Sequence, residues 1–144
     1  MTKFVTPDRN YTIEFYKKPA IMSNVGYTHI ISLIFKNNIG LEIKKVNLTN
    51  LDLSIWLDNL IYFVTENQDS NCFIHGINET DYIFQLYKDN DANYSINEFT
   101  GTNTKIFFSL LELRFVEQIA PILTFEIDQD SIVELMDILY PLSS

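Results

Sequence analysis

Three groups of residues in this chain have the types and spacing that could support chemistry. Asp89, Asp91 and Asn93 occupy positions 1, 3 and 5 of a calcium-loop pattern. The pattern then fails, because the position that needs Gly for the sharp turn holds Tyr94, and the final position, which needs a bidentate Glu, holds Thr100. Asn and Asp also favour plain turns, so these residues read as a hairpin connection. Cys72 and His75 make one C-x-x-H pair. A zinc site needs three or four ligands, and on a strand these two side chains would point to opposite faces. No metal site is expected from either group.

The third group is Glu112, Arg114 and Glu126. Two carboxylates held at a set separation can hydrolyse a glycosidic bond. With strands near 111–115 and 123–127, a hairpin pairing residues whose numbers sum to about 238 would set Glu112 opposite Glu126 and Arg114 diagonal to it. A small ligand-binding or hydrolytic domain built on this polar cleft is the alternative reading. Its weakness is that like charges placed directly opposite destabilise a sheet. There is no G-x-S-x-G and no Cys/His/Asn nucleophile signature, and Gly26, Gly40, Gly76 and Gly101 are isolated, so no phosphate-cradling loop is encoded. No catalytic residue and no cofactor are assigned.

Charge is more informative. The net charge of −9 is unevenly distributed. Residues 1–45 hold seven Lys/Arg and three Asp/Glu; residues 46–104 hold nine acids and the single base Lys88; residues 105–144 hold seven acids and two bases. An acidic middle argues against a nucleic-acid surface there and suits a basic partner. Acids of this kind also keep a small domain soluble. The partner-binding candidates are Asp52, Asp58, Glu66, Asp69, Glu79, Asp81, Asp89 and Asp91.

The elements that must position these residues follow from hydrophobic periodicity. Tyr11, Ile13 and Phe15 alternate with polar residues, as do Leu41 and Ile43; between them His29, Ile31, Leu33 and Phe35 alternate, with Ile30 and Ile34 also apolar on the other face. The spacing predicts strands at 11–17, 29–36 and 41–48, with Asn37-Asn38-Ile39-Gly40 as a turn and 20–28 as a loop. Further strands are predicted at Cys72–Ile77, Tyr82–Lys88, Tyr94–Phe99, 106–115 and 123–127. A helix over Lys105–Glu117 also fits 3.6-residue spacing, but three Phe and the Gly101 break favour a strand. In the 238 register, Leu113 faces Phe125 and Leu111 faces Ile127 on the buried side.

Leu53, Trp56, Leu57, Leu60, Ile61 and Val64 predict an amphipathic helix at about 50–67, with Thr49 and Asp52 as a capping pair and Asp52, Asp58 and Glu66 outward. Ile132, Leu135, Met136 and Leu139 predict a second helix at about 129–140, capped by Asp128 or Asp130 and ended by Pro141. Strands dominate without βαβ alternation. The fold class is therefore α+β: a single domain, 1–144, with a mainly antiparallel sheet and two amphipathic helices. A hydrophobic content of 47% and 14% aromatic residues supply a core. The lone Cys72 excludes an intramolecular disulfide framework, and neither a signal-like leader nor an apolar run of about 18 residues occurs, which points to a cytoplasmic protein without a membrane partner.

The order of elements carries one resemblance. Leu48-Thr49-x-x-x-Leu53-x-x-Trp56-Leu57-x-x-Leu60 follows an N-terminal β-region, and the chain closes with Phe125-x-x-Asp128-x-x-x-Ile132-x-x-Leu135. Over about residues 41–140 this resembles small immunity proteins of bacterial polymorphic toxin and contact-dependent growth inhibition systems, notably the wall-associated-protein (WapI-type) immunity family. The resemblance implies a non-enzymatic cytoplasmic toxin inhibitor that binds one cognate toxin domain, often a nuclease. It implies no catalytic residue and no particular contact position.

Overall fold

The computed structural model describes residues 1–19, 21–23, 26–65, 72–76, 81–90, 104–114 and 118–143. The elements run β1 (Thr2–Val5), β2 (Tyr11–Lys17), β3 (Ile21–Ser23), β4 (Gly26–Thr28), β5 (Ile30–Asn37), β6 (Glu42–Thr49), α1 (Asn50–Thr65), β7 (Cys72–Gly76), β8 (Tyr82–Asn90), β9 (Thr104–Arg114), β10 (Gln118–Ile127) and α2 (Gln129–Leu142). Two four-stranded antiparallel sheets, ordered β1-β2-β5-β6 and β10-β9-β8-β7, accompany the small β3-β4 hairpin. This is the α+β, mainly antiparallel architecture with two amphipathic helices.

Alternation builds the first sheet. Phe4, Ile13, Phe15, Ile31, Leu33, Phe35, Val46 and Leu48 are buried, and the residues between them form the opposite face. The β5–β6 turn is closed by Asn37, whose Oδ1 accepts from Ile39 N at 3.1 Å and Leu41 N at 2.9 Å. Gly40 adopts φ +84°, a left-handed conformation open to glycine without the usual Cβ penalty.

The second sheet turns Phe84, Leu86, Phe108, Leu110, Leu123, Phe125 and Ile127 toward the same core. Ring contacts join the sheets, Phe35 to Phe84 at 6.2 Å and Phe4 to Phe125 at 6.5 Å. Trp56 of α1 seats its ring 4.5 Å from Phe84 and 5.9 Å from Phe108, so α1 is held by the inner face of the second sheet. The two helices pack on each other, and Ile132, Leu135 and Leu139 complete the core. Asp128 is the cap of α2, its Oδ1 accepting from Ser131 N at 2.7 Å.

Several local expectations are corrected. The β9–β10 register sums to 232 from Gln118 to Pro121 and 233 beyond a bulge between Pro121 and Leu123. Leu113 therefore pairs with Ile119, and Phe125 with Phe108; Leu113 is 44% exposed. β10 begins at Gln118, where a connection through Pro121 is expected from the sequence. Pro121 is tolerated because β10 is an edge strand and the bulge lies beside it. The 20–28 loop contains the β3-β4 hairpin, whose three-residue strands are too short to leave an alternation signal. Pro141 sits inside the last turn of α2 and does not stop it. In α1, Phe63 is buried while Ile61 is exposed. The predicted strand Tyr94–Phe99 lies outside the described residues.

Candidate partner-binding surfaces

The acidic candidates divide sharply. Asp52 is 2% exposed, so the expected outward placement is wrong. Its Oδ2 accepts from Thr49 N and Thr49 Oγ1, both at 3.1 Å, while Asp52 N donates to Thr49 Oγ1 at 3.1 Å. A carboxylate committed to the helix start is turned into the fold and is not offered to a partner. Asp58 is exposed on α1, and Asp81 is exposed just before β8, where its carbonyl accepts from Leu113 N at 2.7 Å. Asp89 lies near the end of β8 opposite Lys105. Glu66, Asp69, Glu79 and Asp91 lie outside the described residues.

What Asp58 belongs to is a face that the sequence reading missed. Leu51, Ile55, Asp58 and Tyr62 recur at helical spacing along the solvent side of α1, with Leu51 60% and Tyr62 45% exposed. On the neighbouring α2, Val133 and Tyr140 are exposed among Asp130, Glu134 and Asp137. Neither helix contains a Lys or Arg. The exposed side of the helix pair thus mixes apolar and aromatic side chains with acids alone. The signal was present in the sequence as the absence of any Lys or Arg between Lys45 and Lys88 and again after Arg114.

The proposed polar cleft is not assembled as expected. Glu112 pairs with Ala120, and Glu126 pairs with Phe107, five positions along β9 and on the opposite face. Glu112 points between the sheets, with Oε2 3.7 Å from Lys44 Nζ and 3.8 Å from Arg114. Lys44 Nζ also lies 5.3 Å from the centre of the Tyr82 ring. The Tyr82 hydroxyl, and then the Glu112 charge, raise the Lys44 ammonium above its ordinary pKa. β6 supplies Lys44, β8 Tyr82 and β9 Glu112, so the cluster ties the rim of one sheet to the other.

A second polar network occupies the outer face of the first sheet. Glu14 Oε1 accepts from Tyr16 Oη at 2.7 Å and lies 3.0 Å from Lys36 Nζ. The Tyr16 hydrogen bond, then Lys36, hold the Glu14 carboxyl below its ordinary value; the same contacts raise Tyr16 and Lys36. Ser32 Oγ donates to Asn47 Oδ1 at 2.7 Å beside them. An open groove of about 430 Å³ follows, lined by Tyr16, Lys17, Lys18, Pro19, Ser32, Ile34 and Lys45.

Among the described residues, no group of three or more His, Cys, Asp or Glu is placed to hold a metal ion. Among them also, no helix is long and apolar enough to cross a membrane. The chain matches no family model, no curated protein and no solved structure.

Proposed function

We propose that this chain is a non-enzymatic immunity protein that binds and neutralises a basic toxin domain, docking it on the exposed face of α1 and α2. The observation that carries this reading is the composition of that face. Leu51, Ile55, Tyr62, Val133 and Tyr140 are exposed beside Asp58, Asp130, Glu134 and Asp137, with no base on either helix. Aromatic and aliphatic anchors set among charges of one sign suit a protein partner of the opposite sign. The partner is a folded basic domain, because a cluster of acids repels nucleic acid and an anionic membrane surface alike. A basic nuclease is the toxin class that this charge fits best.

The resemblance of residues 41–140 to the immunity proteins of polymorphic toxin and contact-dependent inhibition systems supports the same reading, and with it a cytoplasmic site of action. The test is co-purification with the product of the gene adjacent to this chain's own, together with an assay of that product's toxic activity. A stable complex in which the activity is lost is the expected result. Undiminished activity in the presence of excess protein overturns the proposal.

A further inference from the structure

Leu51, Ile55, Asp58 and Tyr62 follow one another along α1 at spacings of four, three and four residues, and all four are exposed. At 3.6 residues per turn they fall within about 60° of arc. The buried residues Leu53, Trp56, Leu57 and Leu60 take the opposite side. The four therefore form a ridge aimed away from the core, about 17 Å long at 1.5 Å per residue. Burial in the core does not account for its three apolar members. Alternate spacings of three and four are those of a helix–helix seam, in which the side chains of one helix enter holes on the other.

We propose that the partner meets this ridge with an amphipathic basic helix, laid along α1 with its apolar residues on Leu51, Ile55 and Tyr62 and a Lys or Arg reaching Asp58. The proposal rests on the reading of the helix pair as the docking face and names the element that docks there. The backbone of α1 is hydrogen-bonded within the helix, so the ridge has no free N–H or C=O row to take up a strand. Its side chains, spaced as anchors along a helix, match the apolar stripe of another helix. Charge selects the sign of the occupant. Asp130, Glu134 and Asp137 are exposed on α2, which packs beside α1, and neither helix contains a base. A second copy of the chain would set acids against acids, whereas a basic helix satisfies them. Asp58 also does what the apolar residues cannot. One polar residue in an apolar seam sets the register, because only one alignment brings a base against it.

The experiment is fluorescence anisotropy of the full chain with a labelled, end-capped peptide of about 18 residues. The peptide carries Leu at i, i+4, i+7 and i+11 and Lys on both flanks; its control contains the same residues in shuffled order. Such a peptide is at most partly helical in water, so docking should be visible as a gain of helical circular dichroism. The ordered peptide should bind at least about tenfold more tightly than the shuffled one. Leu51→Ser should weaken it about fivefold or more, and Asp58→Lys about tenfold or more. Ile39→Ser, at an exposed apolar residue of the β5–β6 turn, should leave the affinity unchanged. All three substitutions are at exposed positions and keep the fold. No binding of the ordered peptide, equal affinity for the two peptides, binding without a gain of helix, or affinity indifferent to Leu51→Ser would overturn the proposal. Co-purification with the product of the adjacent gene is scored separately. A complex that forms while the two peptides bind alike refutes helical docking alone; ordered-peptide binding without such a complex refutes the toxin reading alone.

Discussion

Thr49 and Asp52 cap α1 reciprocally: each donates its backbone N–H to the other's side chain, both at 3.1 Å. The pair sits where β6 becomes α1, so it fixes the entry angle of the helix that carries Trp56 into the core. Asp52 is thus part of the fold, and Asp58, six residues on, is part of the surface.

That division is measurable. Asp52→Ala should cost about 0.5–2 kcal/mol through loss of the cap. Asp58→Ala should change stability by no more than about 0.5 kcal/mol, as exposed substitutions usually do. Urea unfolding midpoints of the two variants decide it; equal midpoints would contradict the capping role.

Leu135 and Leu113 should behave just as differently. Leu135 is 1% exposed in the centre of α2, and Leu135→Ala should cost about 2–5 kcal/mol by leaving a cavity. Leu113 stands 44% exposed opposite Ile119. Leu113→Ala should cost less than about 1 kcal/mol. The reverse order in thermal unfolding would restore the register that pairs Leu113 with Phe125.

This contrast shows what the sequence reveals and what it hides. Periodicity identifies both helices and the α+β class, because burial of Leu53, Trp56, Leu135 and Leu139 is written in their spacing; it leaves the cap of α2 between Asp128 and Asp130, of which the fold uses Asp128. Register is harder, since alternation alone does not decide which residues face one another, and β10 extends three residues upstream of Pro121 in spite of the missing N–H. The outward assignment of Asp52 fails because a charge reads as a solvent group, although Asp52 stands one turn before Trp56 on the buried flank of α1 and its hydrogen bonds with Thr49 satisfy it there. The groove on the first sheet joins Tyr16, Lys18 and Lys45 across three strands and the segment after β2, which no local pattern encodes.

Acid should weaken the Glu14–Tyr16–Lys36 network. The Glu14 carboxyl is held below its unfolded value of 4.5, so its contribution is fully present above that value and is lost as the pH falls through the lower folded value. Melting temperatures between about pH 3 and 6 should therefore fall less steeply for Glu14→Gln than for the unaltered chain. Parallel profiles would show that the network adds nothing to stability. On the alkaline side the raised Tyr16 and Lys36 reverse the sign, their contribution being lost as the pH rises through their folded values.

The docking face makes the most direct demand. Complementary charge mainly accelerates encounter, and salt screens it. The measurement is the association rate with the product of the adjacent gene, the proposed partner, at low and at physiological ionic strength, for the unaltered chain and for Asp58→Lys, Glu134→Lys and Asp137→Lys combined. The three residues are exposed, so the circular dichroism spectrum should not change. The account predicts an association rate reduced about tenfold or more at low salt, with the difference shrinking as salt is added. An association rate unchanged by the triple reversal at both ionic strengths would contradict it, and would show the helix pair to be a solvated surface.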